Sequence, residues 1–200
     1  MTDITAKMVK ELRDRTSAGM MDCKRALQET DGDIEAAIDV LRSTGAAKAA
    51  KRAEKSASEG TVGSYIHFSN KIGVLVELNC ETDFVANTDD FKQLAKDLAM
   101  HIASAAPDSV SYEDIPRDVI DRERAVYLEQ VKTEGKPEHI AEKIVEGKLQ
   151  KFFKESALLS QPFVKDTDKT IAELITEVSV RTGEKIEVAR FARLKVGESA

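Results

Sequence analysis

The sequence predicts an α+β protein: a helical N-terminal domain, a connector, and a core in which helices cover an antiparallel sheet. Three observations carry this. Ile34, Ala37, Ile38 and Leu41 recur at the spacing of one helix face. From Thr61 to Cys80 the apolar period changes to alternation. Amphipathic helical stretches then return on the C-terminal side.

The first 45 residues read as three short helices in a small bundle. In the first, Ile4, Met8, Val9 and Leu12 share a face, Thr5 or Asp3 caps it, and Arg13, Arg15, Thr16 and Ser17 end it. The turn Ala18-Gly19-Met20 leads to a second helix carrying Met21, Cys23, Ala26 and Leu27. Asp31-Gly32-Asp33 opens the third, which Gly45 is expected to close after Arg42. Residues 46–60 hold no apolar side chain larger than alanine and read as a linker, leaving 61–200 as the core domain. The basic group Lys48, Lys51, Arg52 and Lys55 has no interleaved aromatics, so a solvated connector is the reading favoured over a nucleic-acid contact.

In the core, Val62, Ile66 and Phe68 fall on one face of a strand. After Ser69-Asn70-Lys71, Val74, Val76, Leu78 and Cys80 alternate with Leu75, Glu77 and Asn79, which predicts a hairpin. Thr88, Asp89 and Asp90 start a helix with the stripe Phe91, Leu94, Ala95, Leu98 and Ile102. Beyond Pro107 and Pro116, helices over about 117–133 and 137–152 are separated by Glu134-Gly135-Lys136-Pro137. Phe152, Phe153, Leu158 and Leu159 form the densest apolar cluster, expected to dock on the sheet. Thr170 begins a helix with Ile171, Leu174, Ile175 and Val178 inward, closed by Thr182-Gly183. The last strand, Lys185 to Val196, places Phe191 and Leu194 on opposite parities, which a bulge near Arg190 would reconcile.

Composition narrows the function. The 200 residues are 42% hydrophobic, enough for a real core, and 36 acidic against 30 basic residues leave a net charge of -6. That balance disfavours direct nucleic-acid or anionic-membrane attachment and favours a protein partner. No apolar run approaches the roughly 20 residues that span a bilayer, and Met1-Thr2-Asp3-Ile4-Thr5 lacks a leader's basic and apolar regions, so a cytoplasmic location is expected. Cys23 and Cys80 match neither zinc spacing nor a disulfide framework and read as reduced, buried residues. Phosphate-loop, dinucleotide, nucleophile-elbow and zinc-protease motifs are missing, and no cofactor or metal is expected. His67, His101 and His139 are dispersed and read as packed or surface residues rather than catalytic ones.

Asn79-Cys80-Glu81-Thr82-Asp83-Phe84-Val85-Ala86-Asn87 lies between a buried strand and an amphipathic helix. Locally, Thr82 can cap a turn, Asp83 can sit at its positive end, and Phe84 and Val85 can pack inward. Glu81 and Asp83 could be a carboxylate pair, although no other acid, base or nucleophile is placed with them. Alternatively, Phe84 protrudes into a partner's groove, where burying one ring stabilises by roughly 1.5–3 kcal/mol.

Three stretches resemble the elongation factor Ts family: Val9-Lys10-Glu11-Leu12-Arg13 through Ala18-Gly19-Met20-Met21-Asp22-Cys23-Lys24; Asn79 through Val85; and Gln161-Pro162-Phe163-Val164-Lys165-Asp166. They occur in the family's order across nearly the whole chain. The resemblance implies a ubiquitin-associated-like N-terminal domain in which Leu12, Met20 and Met21 contact the GTPase elongation factor Tu; the alternative for the two methionines is core packing, and one of them is expected to be partly buried. It also implies that Thr82, Asp83, Phe84 and Val85 form the exchange turn, with Asp83 and Phe84 entering near the partner's magnesium and phosphate sites. The function implied is guanine nucleotide exchange without covalent chemistry. The chain resembles the short form, which lacks a second core subdomain, so a homodimer is expected. No cysteine follows Cys80, which makes that pairing noncovalent. The competing class is a ubiquitin-associated-like adaptor that recruits another protein through its N-terminal domain.

Overall fold

The computed structural model describes residues 3–16, 18–52, 54–135 and 137–198. Its helices are α1 (Ala6–Thr16), α2 (Met20–Glu29), α3 (Ile34–Arg52), α4 (Asp83–Ala86), α5 (Asp89–Ala105), α6 (Arg117–Thr133), α7 (Glu138–Ser156) and α8 (Ile171–Thr182). Its strands are β1 (Glu59–Ile66), β2 (Ile72–Cys80), β3 (Pro162–Phe163), β4 (Asp166–Thr170) and β5 (Ile186–Lys195). Ser17 and Lys136 lie outside the described residues, as do the side chains of Lys48 and His139. The contacts divide into two units, and β1, β2, α5, α8 and β5 each contribute residues to both.

The first unit comprises Met1–Thr61, Asn79–Leu94 and Ile175–Glu187. Its N-terminal part is the expected three-helix bundle. The Thr5 hydroxyl accepts the Met8 N–H at 3.3 Å to open α1, and Asp33 accepts the Ala36 N–H at 3.0 Å to open α3. The chain reverses between α2 and α3 through positive φ at Asp31 (50°) and Gly32 (89°). Val9, Leu12, Cys23, Ala26, Leu27 and Ala37 form the buried core, with Ile4, Met8, Ile34, Ile38 and Leu41 packed around it.

The third helix does not end after Arg42. It continues through Gly45 to Arg52, so residues 46–52 of the expected linker are helical. Alanine and lysine favour this continuation. Gly45 is buried inside this helix, where a β-carbon would lie 3.2 Å from Val180 Cγ2 of α8. Its hydrogen side chain permits a close approach rather than a helix stop.

The second unit comprises Val62–Leu78, Ala95–Leu174 and Val188–Ala200. The sheet has the order β1-β2-β5. The β1–β2 turn is closed by Asn70 N–H to His67 O (2.8 Å) and His67 N–H to Ile72 O (2.9 Å), with Asn70 at φ 55°. Val74, Val76, Leu78 and Val188 face inward. Gly63 is also buried, and a β-carbon there would meet the Ala95 carbonyl oxygen of α5 at 2.7 Å.

The expected face containing Val62, Ile66 and Phe68 is the solvent face, which also carries Leu75 and Leu194. Along β5 the inward phase slips at the consecutive exposed residues Ala189 and Arg190, matching the parity conflict in the sequence.

Helices α6 and α7 pack around their own core of Val131, Val145 and Leu149, joined by Ile120, Tyr127, Leu128, Ile144 and Phe153. The Phe152–Leu159 cluster is therefore divided: Phe153 serves this helix pair, while Leu158 is separately buried in the short turn after α7. The strands β3 and β4 form an antiparallel hairpin, with Phe163 opposite Asp166 and Pro162 opposite Thr170. A reciprocal cap starts α8, Thr170 N–H to Glu173 Oε2 (2.8 Å) and Glu173 N–H to Thr170 Oγ1 (3.2 Å).

Candidate functional site

Strand β2 ends at Cys80, whose buried thiol donates to the Thr82 carbonyl at 3.1 Å. Burial, aided by the Glu184 carboxylate, pushes that thiol's pKa up and keeps it protonated. Thr82 is extended (φ -134°, ψ 154°), and its hydroxyl oxygen accepts the Val85 N–H at 3.4 Å, capping α4. Ala86 N–H returns to Thr82 O at 3.2 Å, and Asn87 N–H to Asp83 O at 3.0 Å. The Thr88 hydroxyl then donates to Val85 O and receives the Phe91 N–H, joining the turn to α5.

This local bonding divides the four expected residues. Val85 is 8% exposed, whereas Phe84 is 84% exposed. Thr82 and Asp83 are exposed as well. Of the readings the sequence left open, inward packing therefore applies to Val85 but not to Phe84.

Beneath the turn lies a constellation that periodicity did not reveal. Glu184 Oε2 accepts the backbone N–H groups of Glu81 (3.1 Å) and Thr82 (3.0 Å), while its Oε1 accepts the Thr82 hydroxyl at 2.6 Å. In return, Glu81 Oε1 accepts the Lys185 N–H at 2.7 Å and Glu81 Oε2 accepts Lys55 Nζ at 2.8 Å. The Lys55 and Lys185 donors hold the Glu81 carboxyl below its ordinary pKa. Lys185 Nζ also donates to the Lys55 carbonyl at 3.1 Å. No local pattern ties Glu81 to Lys55 or to Lys185. Glu184 lies 102 positions from Thr82, beyond the reach of any local signal.

The N-terminal candidates separate similarly. Leu12 is completely buried in the bundle core, while Met20 and Met21 are 59% and 73% exposed, so neither methionine has the partial burial expected. Both methionines line a shallow groove with Ile4, Val9 and Arg13. His101 is enclosed in the second unit, its Nε2 2.9 Å from Gln161 Oε1 and its Nδ1 accepting the Val164 N–H at 3.3 Å. Nδ1 is thus unprotonated, Nε2 carries the proton, and burial lowers the pKa. His67 Nδ1 lies 2.8 Å from the Ser69 hydroxyl. Among the described residues, no group of three or more His, Cys, Asp or Glu side chains is placed to hold a metal, and no helix is long and apolar enough to cross a membrane.

The site thus consists of an apolar ring presented on a hydrogen-bonded turn of a small α+β protein. Residues 2–198 match the protein family described as elongation factor TS. The chain is 62% identical over 195 residues to elongation factor Ts of Syntrophomonas wolfei, covering 98% of this chain and 91% of that protein. It is 56% identical over 195 residues to elongation factor Ts of Thermosipho melanesiensis, covering 98% of this chain and 100% of that protein. The chain belongs to the elongation factor Ts family, a family of translation elongation factors, and its N-terminal bundle is ubiquitin-associated-like.

Proposed function

We propose that the protein promotes GDP release from elongation factor Tu in the cytoplasm by inserting Asp83 and Phe84 near that GTPase's magnesium and phosphate sites. The carrying observation is the solvent-facing Phe84 ring on a turn anchored through Val85 and Thr82. A ring already outside the core can enter a partner's groove without unfolding its own domain. Asp83 supplies a negative charge beside it, suited to disturbing a magnesium site. Thr82 shapes the turn and Val85 roots it.

Met20 and Met21 supply a second apolar contact at the bundle surface. Leu12 supports it from within. The factor needs no cofactor of its own and makes or breaks no covalent bond. If its binding weakens nucleotide affinity, nucleotide weakens its binding by the same coupling free energy. GDP therefore leaves the ternary complex, and GTP then displaces the factor.

A homodimer completes the proposal. Val62, Ile66, Leu75 and Leu194 form an apolar solvent face on the sheet, with Phe68 and Val196 exposed beyond the strand ends. A second copy covering it would remove that surface from water. The direct test is release of labelled GDP from purified elongation factor Tu. Acceleration by the full chain is expected; an unchanged rate at saturating protein would refute the exchange function.

A further inference from the structure

We infer that Glu184 is a positioning residue for the Thr82–Val85 turn, holding its backbone in the form that presents Phe84. The inference rests on the reading of this turn as the partner-contacting element. A four-residue helix cannot maintain itself, since nucleating one turn costs more than its few internal bonds return. Its own cap is also long, at 3.4 Å from Val85 N to Thr82 Oγ1. What lies underneath must set the geometry.

Glu184 is suited to that task. Its carboxylate gathers three donors from two consecutive residues, and hydrogen bonds to an ionised acceptor are roughly twice as strong as neutral ones. Glu184 is itself held, because Gly183 at φ 78° turns the chain after α8 and the Ser179 hydroxyl donates to the Glu184 carbonyl. Glu81 reciprocates by accepting the Lys185 N–H, so the two segments are fastened in both directions. Lys55 ties the stretch after α3 to the same knot through Glu81. The Lys55 side chain is 56% exposed, which makes that ion pair the weaker strand of the knot.

A turn fixed before docking has no ordering cost to meet when the partner arrives. Loss of Glu184 should then weaken productive docking rather than remove the inserted ring. Glu184 and Phe84 should consequently differ in kinetic signature: the first sets the factor concentration required, the second the maximal rate.

The test compares full-length wild-type protein with Glu184→Ala and Glu184→Gln, the latter retaining size and an acceptor oxygen. Hydrogen exchange should accelerate at least about tenfold at the Glu81 and Thr82 amides of Glu184→Ala, with the Leu98 amide of α5 unchanged and Glu184→Gln intermediate. In GDP-release titrations with elongation factor Tu, Glu184→Ala should raise the half-saturating concentration about tenfold and keep the maximal rate within about twofold, with partial recovery in Glu184→Gln. Unchanged exchange at both amides overturns the clamp. Faster amides with wild-type titration curves overturn its role in presenting the turn. Should Glu184→Ala fail to fold, the same two readouts on Glu184→Gln decide. An inactive wild-type protein would refute the exchange function itself, while the amide measurement would still decide the clamp.

Discussion

Phe84 and Val85 are adjacent on α4, yet one is 84% exposed and the other 8%. Successive helical side chains point about 100° apart, so a short helix laid against the protein roots one residue and displays the next. The two should respond oppositely to truncation. Val85→Ala removes buried methyl groups and should lower stability by about 1–2 kcal/mol in denaturant melts. Phe84→Ala should change stability by no more than about 0.5 kcal/mol.

The bundle offers a parallel contrast. Leu12→Ala empties a completely buried position and should destabilise the N-terminal helices by about 2–5 kcal/mol. Replacing both Met20 and Met21 by alanine should leave the melt within about 1 kcal/mol and weaken binding to elongation factor Tu. Circular-dichroism melts and a binding titration separate the two outcomes.

Gly63→Ala tests the approach of β1 to α5. The added β-carbon would meet the Ala95 carbonyl oxygen at 2.7 Å, and backbone cannot swing aside as a flexible side chain can. Overpacking of this kind costs about 1–3 kcal/mol, measurable as a lower denaturation midpoint with an unchanged slope.

Acid should weaken the second unit through His101. Burial depresses its folded pKa below the ordinary histidine value of about 6.5, and Nδ1 must stay unprotonated to accept the Val164 N–H. Between the depressed folded pKa and about 6.5, the unfolded chain binds more protons. This contribution to stability is therefore full above about pH 6.5 and is lost as pH falls toward the folded value. His101→Gln should flatten the stability profile over that interval in denaturant titrations at stepped pH.

These residues show what was legible in the chain. Helix α5 and the bundle core could be read because their apolar residues repeat locally, and Thr82–Val85 stood out by its place between a strand and a helix. Alternation sorted the β1 and β2 residues into faces but could not choose the inner one, since Val62 and Ile66 are as apolar as Val74 and Val76. The β3–β4 hairpin escaped because β3 is only two residues long. Gly45 was misleading: its role comes from Val180 across the fold rather than from its chain neighbours. For the same reason Glu184 could not be found, because a hydrogen bond spanning 102 positions has no periodic trace.

The central claim is that the displayed ring drives nucleotide release, and the most direct measurement is the maximal rate of labelled GDP release from elongation factor Tu at saturating wild-type or Phe84→Ala protein. The expected result is at least about a tenfold loss of maximal rate, corresponding to 1.36 kcal/mol of barrier or more, with an unaltered melt. Equal maximal rates for the two proteins would contradict the account.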